Sequence, residues 1–341
     1  MRTASKERDA AEALARFFPG GAPSVVAGAS GMNNTTRFVT EGGARYVLRV
    51  YETHRDAAKV RYEHAVLLAL ARMPLPFRVP EPVPTPGGDT VVFAGDGKPA
   101  ALFRYLDGER PTLSSPEALA SFGRAAGALS AALADVRVDA EPAYRPYYEL
   151  DAAHPRCSPD AVARFCEAPP EPFAAQARPL RALGGRLADV RRELPALRGL
   201  PHQLVHGDLN ASNALTTNRT DISALLDFEF ATRDARAMEA AVCVSDLIGD
   251  DRGSDDDAID RVAAFARGYR DTGRWTSAEA DALPTLLRLR RLDVFLHFLG
   301  RYWDGVDDAD VLRAQIESAA RTLDRLDRLE GALRERWAAS E

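Results

Sequence analysis

The sequence predicts an α+β protein with two lobes: a small N-terminal antiparallel β-sheet lobe with one helix, and a larger, mainly helical C-terminal lobe. Short β-like runs, several of them separated by glycine, recur between residues 24 and 106. From residue 107 onward the chain consists largely of long stretches rich in alanine and leucine, which are strong helix formers. We therefore expect one lobe to comprise residues 1–106 and the other residues 107–341.

In the first lobe, hydrophobic periodicity and turn residues set the expected elements. Residues 7–18 have the pattern of an amphipathic helix. Gly42 and Gly43 separate two alternating runs and predict a hairpin, because glycine adopts the positive φ angles of a tight turn at little cost. A further helix is expected over residues 57–72. The predicted strands are residues 24–27, 35–40, 45–51, 90–94 and 100–106.

The second lobe is expected to contain long helices joined by loops. The change in composition begins at Asp107 and Gly108, directly after the last predicted strand. A chain of 341 residues is long enough for this two-lobed arrangement and for a substantial core. The predicted helices are residues 116–134, 177–193, 258–273, 278–303 and 308–338.

Composition argues against several classes of protein. No apolar run approaches the ~18 residues of a membrane span, and the N-terminus has no apolar signal core, so we expect a cytoplasmic protein. The three cysteines are odd in number and lack metal-binding spacing, which indicates reduced thiols. The net charge of -6 argues against a general nucleic-acid surface, which needs an excess of lysine and arginine.

Two short motifs carry the chemistry. The first is His206-Gly207-Asp208-Leu209-Asn210-Ala211-Ser212-Asn213, in which an aspartate stands five residues before an asparagine. One short loop with this spacing can present a base and a metal ligand together. The second motif is Asp227-Phe228-Glu229, and its aspartate follows Asp208 by nineteen residues, so a hairpin would return it to the first loop. The alternative is a pair of polar turns that flank a hairpin.

The two motifs are close to the protein-kinase signature, H-R-D-L-x-x-x-N followed by D-F-G. Gly207 stands in place of the signature arginine, and Glu229 stands in place of its glycine. The pattern H-G-D-x-x-x-x-N followed by L-D-F-E resembles the aminoglycoside phosphotransferase superfamily, which also contains choline kinase and type II homoserine kinase. The resemblance implies a bilobal protein-kinase-like fold and ATP-dependent phosphorylation of a small-molecule hydroxyl.

The resemblance also implies roles for the motif residues. Carried over by position, Asp208 is the catalytic base, Asn213 and Asp227 hold Mg²⁺, and Glu229 helps with a second ion. The implied cofactors are ATP and Mg²⁺, and carboxylate and amide oxygens are suitable ligands for that metal. We expect His206 to pack beneath the loop and fix it by hydrogen bonds; the alternative is a direct part in the chemistry.

On the nucleotide side, the resemblance places a strand cation and a helix carboxylate beside the phosphates. Arg49 and Glu63 occupy these positions. Arginine is larger than lysine and binds oxygens bidentately, so the two are not equivalent. Alternatively, Arg49 is a surface arginine paired with any nearby acid, an interaction that contributes little. The region near Leu106 resembles the hinge whose backbone receives the adenine, so Arg104 and Leu106 are expected to contact the nucleotide.

The loop between the first two strands is expected to cover the phosphates. It contains Ser30 and Gly31 and leads into Asn34. Glycine lets backbone amides approach anionic oxygens, and the serine and asparagine side chains add hydrogen-bond donors. No G-K-[ST] sequence follows, so the loop is not a Walker A motif. The alternative is a plain hairpin turn.

The acceptor is expected to contact Asp208 and residues beyond the second motif. Relatives place an acidic residue at the position of Glu239, beside the active site; alternatively this acid is favoured by the helix macrodipole. Asp234 is a candidate to brace the loop beside the acceptor, and Arg288 is a further candidate contact. The helix that contains Arg288 resembles the C-terminal helix of type II homoserine kinases, but it has Asp293 where those enzymes tend to have arginine.

The sequence therefore predicts a small-molecule kinase, with an amino-bearing acceptor favoured. A homoserine- or choline-like metabolite and an aminoglycoside-type antibiotic both remain open. The acidic residues in 250–257 and 304–310 would attract a cationic acceptor, or they are solvated faces. Because Arg49 and Glu229 replace the lysine and glycine of protein kinases, the alternative function is a nucleotide-binding, pseudokinase-like regulator with weak or no catalysis.

Overall fold

The N-terminal part of the chain forms a five-stranded antiparallel sheet, which confirms the predicted strand lobe. The computed structural model describes residues 2–28, 34–52, 56–249 and 253–338. The strand order is β1-β2-β3-β5-β4, so β3 is the central strand. The strands are β1 Ser24–Ala27, β2 Asn34–Glu41, β3 Ala44–Tyr51, β4 Val92–Ala94 and β5 Lys98–Arg104.

The hairpin between β2 and β3 fixes the register of the central strand. Gly42 and Gly43 have φ angles of 58° and 78° and lie between the paired residues Glu41 and Ala44. Two consecutive positive φ angles are typical of the tight turns whose twist matches that of the flanking strands. The register pairs Thr36 of β2 with Arg49 of β3, which sets the position of the strand arginine.

Alternation along β3 places Leu48 and Val50 on one face of the sheet and Arg49 on the other. Leu48 and Val50 are buried against helix α1, Arg2–Phe17, which covers one face. Side chains alternate across a strand, so Arg49 projects from the other face, toward the cleft between the lobes. The sheet is thus stabilised on one side by a helix and leaves its other side for the cleft.

Helix α2, Ala57–Leu70, connects the sheet to the C-terminal lobe. The Asp56 side chain caps its N-terminus by accepting a hydrogen bond of 2.8 Å from the backbone of Ala58. Val60 and Leu67 belong to the large hydrophobic core that continues through the C-terminal helices. The same helix carries the buried Glu63, whose side chain points to Arg49.

The remaining long helices form the C-terminal lobe, as predicted. Its β-strands are short and belong to the two motif loops. The division after residue 106 stays a prediction; β5 ends at Arg104 and the next helix begins at Pro116. The helices are α3 Pro116–Asp135, α4 Pro159–Glu167, α5 Ala177–Leu197, α6 Met238–Gly249, α7 Asp255–Thr272, α8 Ser277–Trp303 and α9 Ala309–Ala338.

Helices α3 and α7 approach closely because glycines line their contact. A Cβ atom at Gly268 would overlap the carbonyl oxygen of Ala120 in the facing helix. We therefore expect Gly268→Ala to lower the free energy of unfolding by about 1–3 kcal/mol, the usual cost of overpacking. Denaturant unfolding measures this change.

Gly185→Ala is the matched control for this prediction. Gly185 lies in the exposed face of α5, and nothing would lie within 4 Å of a Cβ atom there. Alanine at this position is expected to stabilise the protein by about 0.5–1 kcal/mol through its higher helix propensity. Equal changes for the two variants would contradict the close contact of α3 with α7.

Two further expectations from the sequence concern membrane-spanning helices and the cysteines. Within the four described ranges, no helix is long and apolar enough to cross a membrane. The three cysteines, which all lie in the described part of the chain, are buried and form no disulfide. Burial raises the pKa of Cys157 and of Cys166 to about 12, so both are protonated thiols at neutral pH.

Candidate active site

Two pairs of short antiparallel strands bring the motif loops side by side. The first loop, residues 206–213, connects β6 to β7, and the second, residues 226–231, connects β8 to β9. The backbone N–H of Leu226 donates a hydrogen bond of 2.8 Å to the carbonyl of Asn213, which ties the loops together. The pairs are β6 His202–Val205 with β9 Thr232–Ala235, and β7 Ala214–Thr216 with β8 Ile222–Leu225.

Gly207 is required by the close approach of the two loops. Its φ angle is 83°, a conformation that favours glycine. A Cβ atom there would overlap the carbonyl oxygen of Phe230 in the second loop. The arginine of the protein-kinase signature has no room at this position, so the replacement that distinguishes the first motif has a steric reason.

His206 fixes the first loop from beneath. Its Nε2 atom lies 2.9 Å from the carbonyl oxygen of Leu226, and its Nδ1 atom accepts a hydrogen bond of 3.2 Å from the backbone of Asp208. The side chain is fully buried, and burial lowers the pKa of its imidazole. A neutral ring that donates from Nε2 and accepts at Nδ1 satisfies both contacts. These contacts agree with the expected packing role of His206.

Asp208, the sequence-predicted base, stands at the open end of the first loop. The Asn213 amide donates a hydrogen bond of 2.9 Å to its backbone carbonyl and lies 3.4 Å from its Oδ2 atom. Arg290 donates to its Oδ1 atom. The side-chain oxygen of Asn213 accepts no hydrogen bond from any described residue. The loop thus holds one carboxylate oxygen of Asp208 and leaves Asn213 an oxygen for a metal ion.

The structure places Asp227 beside the strand arginine. Asp227 has a φ angle of 69°, and its Oδ1 atom lies 3.1 Å from Nη1 of Arg49. The same nitrogen lies 3.3 Å from Glu63, whose other oxygen accepts a hydrogen bond of 3.0 Å from Tyr51. Burial opposes the charge of Arg49, but the carboxylates of Asp227 and Glu63 outweigh it and raise its pKa. Arg49 therefore links strand, helix and second loop as a permanent cation.

A second contact joins the lobes at the other end of the D-F-E motif. The Asn34 amide, at the start of β2, donates a hydrogen bond of 3.1 Å to Glu229. Asn34, which is expected to contact the phosphates, thus lies beside Glu229, which is expected to help with a second ion. Ser30 and Gly31, the other residues expected in the phosphate-covering loop, lie outside the described residues.

A cleft of about 390 Å³ opens between the sheet and the C-terminal lobe. Arg49 lies in its wall, so the cleft reaches the carboxylates described above. Arg104 and Leu106 also line it, although the Arg104 guanidinium is half exposed and lies 3.5 Å from Glu81. The other lining residues include Thr36, Phe38, Val47, Pro80, Phe103, Tyr105, Arg110, Leu215 and Leu226.

A second cavity, of about 490 Å³, borders both motif loops at Gly207 and Phe230. Tyr147 forms part of its wall and donates a hydrogen bond of 2.5 Å from its hydroxyl to the carbonyl of Gly207. The backbone N–H of Tyr147 donates to Asp234 at 2.6 Å. Most of the wall comes from the segment around Tyr147 and from the end of α8: Tyr144, Pro146, Glu149, His154, Asp293, His297, Arg301 and Asp304.

Arg290 is a site residue that the sequence analysis missed. It projects from α8, donates from Nη2 to Asp208 and lies 2.6 Å from the Tyr147 hydroxyl through Nη1. A signal was present: Arg290, Asp293, His297 and Arg301 recur at intervals of three or four residues, which is the spacing of one helix face. On a mainly apolar helix, this polar stripe indicates the side that faces a cavity.

Three predicted acceptor contacts are placed elsewhere by the structure. Arg288 points to α9, where its guanidinium lies 2.5 Å from Glu330 and 3.1 Å from Asp327; it does not line the second cavity, and its acceptor contact stays a prediction. Glu239 is buried and accepts the backbone N–H of His206 at 2.7 Å. Asp234 is fully buried on the backbone of Tyr147. Both acids therefore support the site and do not reach into the cavity.

Glu239→Gln is expected to change the pH dependence of stability. Burial raises the pKa of Glu239 from 4.5 to about 7. The folded protein thus holds this proton more tightly than the unfolded chain. Its stabilising contribution is complete below pH ~4.3 and is lost as the pH rises through 7. Glutamine cannot ionise and can still accept from His206, so the variant should be more stable than wild type at pH 8 by about 1–3 kcal/mol.

Unfolding in denaturant at pH 5 and pH 8 measures this effect. We expect the two proteins to differ little at pH 5 and the variant to gain at pH 8. Glu335→Gln, at an exposed position of α9, is the control and should give the same difference at both pH values. A Glu239→Gln protein that loses stability equally at pH 5 and pH 8 would show that the carboxylate is ionised in the fold.

The comparisons with known proteins agree with the geometry. The profile of a family described as "Phosphotransferase enzyme family" matches residues 24–283, which include the sheet, the cleft and both motif loops. Among relatives, a homoserine kinase of Methylobacillus glycogenes is 28% identical over 271 residues, 79% of this chain and 77% of that protein.

Solved structures share the fold. A microcompartment-associated aminopropanol kinase is 20% identical and has a TM-score of 0.68, with 95% of this chain and 97% of that chain covered. The amicoumacin kinase hAmiN, solved in complex with AMP-PNP, Ca²⁺ and Ami, is 16% identical with a TM-score of 0.68 and 96% coverage of each chain. Both likenesses confirm the bilobal kinase-like fold predicted from the sequence.

Proposed function

Because the chain belongs to the phosphotransferase enzyme family and is a kinase of small-molecule hydroxyl groups, we propose that it transfers the γ-phosphate of ATP, with Mg²⁺, to an acceptor that carries an amino group. The observation that carries this proposal is the meeting of Asp208, Asn213, Asp227 and Arg49 between two cavities. One cavity suits the nucleotide, and the other suits the acceptor.

The cleft beneath the sheet is the proposed nucleotide site. Its apolar wall around Val47 and Phe103 suits a base, and its far end carries Arg49, a cation that suits phosphate oxygens. Leu106 lies at the end of the strand lobe, where its backbone is available to the adenine. We therefore assign Arg49, Asn34, Arg104 and Leu106 to nucleotide binding, with Glu63 as the residue that positions Arg49.

The residues at the end of the cleft fit a divalent metal ion. Asn213 and Asp227 offer hard oxygens, and Glu229 lies in the same short loop as Asp227. Among the described residues no three His, Cys, Asp or Glu side chains converge on a metal site. This arrangement suits Mg²⁺, which usually keeps several water and phosphate oxygens and takes few protein ligands. When bound, the ion neutralises charge on the phosphates.

Asp208 is the proposed catalytic base. Its Oδ2 atom accepts the proton of the acceptor hydroxyl as the hydroxyl oxygen bonds to the γ-phosphorus, and the bond to the leaving ADP oxygen breaks. Arg290 holds the other carboxylate oxygen and Asn213 holds the backbone of the same residue. This fixed geometry supplies the positioning on which phosphoryl transfer mainly depends.

Arg49→Met is expected to weaken ATP use. Loss of a cation at the phosphates should raise the KM for ATP or lower kcat/KM by about 10–100-fold, equivalent to about 1.4–2.8 kcal/mol. Arg49→Lys should retain more activity, because it keeps the charge but not the forked geometry. Steady-state kinetics with varied ATP measure both variants.

Arg37→Met is the control for this prediction. Arg37 lies in the neighbouring strand β2, faces α1 and pairs with Glu7 at 2.8 Å. Its loss removes a cation from the same sheet but from the side away from the cleft. An Arg49→Met enzyme with unaltered ATP kinetics would contradict the phosphate role and favour a purely structural ion pair with Glu63.

The acceptor class is tested by ADP release. The related proteins named homoserine kinase and aminopropanol kinase support an amino-bearing acceptor. A coupled assay over amino alcohols, sugars, nucleosides and aminoglycosides should give acceptor-dependent ADP release with amino-bearing compounds, and release slower by about 10²–10⁴-fold with Asp208→Asn. ATP binding without ADP release across the whole panel would favour the alternative, a pseudokinase-like regulator.

Cytoplasmic location and the absence of a nucleic-acid partner belong to the same proposal.

A further inference from the structure

One carboxylate in the acceptor-side cavity has no partner of its own. Three acids line this cavity: Glu149, Asp293 and Asp304. Glu149 lies 3.7 Å from Arg145, and Asp304 lies 2.5 Å from Arg156. Asp293 has neither a hydrogen bond nor an ion pair within 4.0 Å among the described residues. Asp293 is therefore the acid in this wall whose carboxylate is available to pair with a bound ligand.

The nearest cation is already engaged by other groups. Arg290 precedes Asp293 by three residues, so both project from the same face of α8. The Arg290 Nη2 atom is bound to Asp208, and its Nη1 atom lies 2.6 Å from the Tyr147 hydroxyl. The guanidinium is thus held on the catalytic loop. Its field reaches Asp293, but its terminal nitrogens make no hydrogen bond there.

The carboxylate of Asp293 remains largely ionised at neutral pH. Burial raises its pKa to about 6; Arg290 lowers this value and the charge of Asp208 raises it. A partly buried carboxylate without a partner is costly, and a cation that enters the cavity would remove much of that cost. An ammonium group is the compact, hydrogen-bond-donating cation that fits such a site.

We propose that Asp293 receives the ammonium group of the acceptor and makes the enzyme select amino alcohols over neutral alcohols of the same shape. This inference rests on the proposed phosphoryl transfer at Asp208. Both carboxylates interact with Arg290: Asp208 is in contact with its guanidinium, and the charge of the same guanidinium lowers the pKa of Asp293 three residues along the helix. A small molecule with its ammonium and hydroxyl groups a few bonds apart reaches both.

The charges that α8 presents to the cavity fit the proposed ammonium site. This face of α8 presents an acid, Asp293, to the cavity, and the cationic side chain one turn earlier, Arg290, is bound to the catalytic loop. The wall near Asp208 therefore offers a negative charge to the acceptor. We expect an ammonium group to bind there and an acceptor carboxylate to be repelled from Asp293.

Binding of matched ligands to the whole protein tests the assignment. Isothermal titration with 3-aminopropan-1-ol and with butan-1-ol, in the presence of a non-hydrolysable ATP analogue and Mg²⁺, compares an ammonium with a methyl group of similar size. Wild type should bind the amino alcohol at least tenfold more tightly. Asp293→Asn should lose this preference, whereas Asp293→Glu should retain part of it. Circular dichroism and thermal unfolding verify that each variant is folded.

Asp151→Asn is the matched control. Asp151 lies between cavity residues in sequence, but it is exposed and paired with Arg191 at 2.9 Å, so its loss changes the net charge equally. It should keep the wild-type preference. The inference is overturned if wild type fails to prefer the amino alcohol, or if Asp293→Asn keeps the preference, or if Asp151→Asn loses it.

A second readout separates this inference from the proposed function. Phosphate transfer to the same two alcohols is followed by ADP release in wild type and Asp293→Asn. Asp293-dependent amine binding without transfer would refute the proposed reaction and leave the ammonium site standing. Equal transfer to amino and neutral alcohols would refute the ammonium site and leave the reaction standing. Transfer to the amino alcohol that falls at least tenfold in Asp293→Asn supports both.

Discussion

Replacing Asp208 with asparagine is expected to lower kcat by about 10²–10⁴-fold, the range that general-base catalysis contributes. Asparagine has nearly the same shape and can still accept a hydrogen bond from Arg290, but it cannot take the proton of the acceptor hydroxyl. ATP affinity should stay at the wild-type value, because Asp208 does not line the nucleotide cleft and is paired with Arg290 and not with Arg49. Steady-state kinetics and nucleotide titration measure the two quantities separately.

Asp221→Asn is the control for the base variant. Asp221 lies in the turn between β7 and β8, where it is exposed and bonded to Asn218. The same chemical change there should leave kcat unchanged. Substantial turnover in Asp208→Asn would show that the hydroxyl proton leaves by another route, and the assignment of the base would then be wrong.

Asp227→Asn is expected to have the second large effect, through the metal ion. The variant removes a charged oxygen from the proposed metal site and one of the two acids that hold Arg49. Loss of a metal ligand should reduce activity by about 100-fold or more and shift the Mg²⁺ dependence to higher concentration. Activity at varied Mg²⁺, together with Mn²⁺ binding measured by water proton relaxation, follows both consequences.

Glu229→Gln is the comparison for this variant. Glu229 lies in the same loop and contacts Asn34, and its expected role is limited to a second ion. Its replacement should therefore reduce activity less than Asp227→Asn. An Asp227→Asn protein with wild-type Mg²⁺ dependence and Mn²⁺ binding would remove Asp227 from the metal site and leave it as a partner of Arg49.

Local sequence signals predicted the strand lobe well. Gly42 and Gly43 identify the β2–β3 hairpin, and a two-residue turn fixes the register that places Arg49. The predicted strand over residues 24–27 coincides with β1, and the predicted helix over residues 116–134 agrees with α3 to within one residue. Such elements depend on neighbouring residues, so a local pattern contains what is needed to predict them.

Helices α4 and α6 are not among the five long helices predicted from composition. Helix α6 is buried on nearly all sides, so it has no polar face to give the helical period. Helix α4 has nine residues and ends at Glu167, shortly before the prolines of residues 169–172. Tertiary packing therefore determines α6, whereas α4 is amphipathic but short, with Val162, Phe165 and Cys166 buried on one face.

The site residues, too, divide into those that local motifs predict and those that depend on tertiary packing. The residue types and their spacing in the two motifs predicted the candidate base and metal ligands, because one loop carries Asp208 and Asn213 together. The sequence analysis named Arg288 and not Arg290, and residues two apart point to nearly opposite sides of a helix. Which side of α8 faces the catalytic loop depends on how that helix packs on α9, and this was not visible in the motif spacing.

The most direct test of the account is a ³¹P NMR measurement of phosphate transfer in the complete protein with ATP, Mg²⁺ and the best amino-bearing acceptor from the screen. We predict that the γ-phosphate signal of ATP disappears while ADP and one new phosphomonoester signal grow in equal amounts, and that Asp208→Asn slows the conversion by about 10²–10⁴-fold. Unchanged ATP in the presence of bound nucleotide, or ADP with inorganic phosphate alone, would contradict the assignment of a small-molecule kinase.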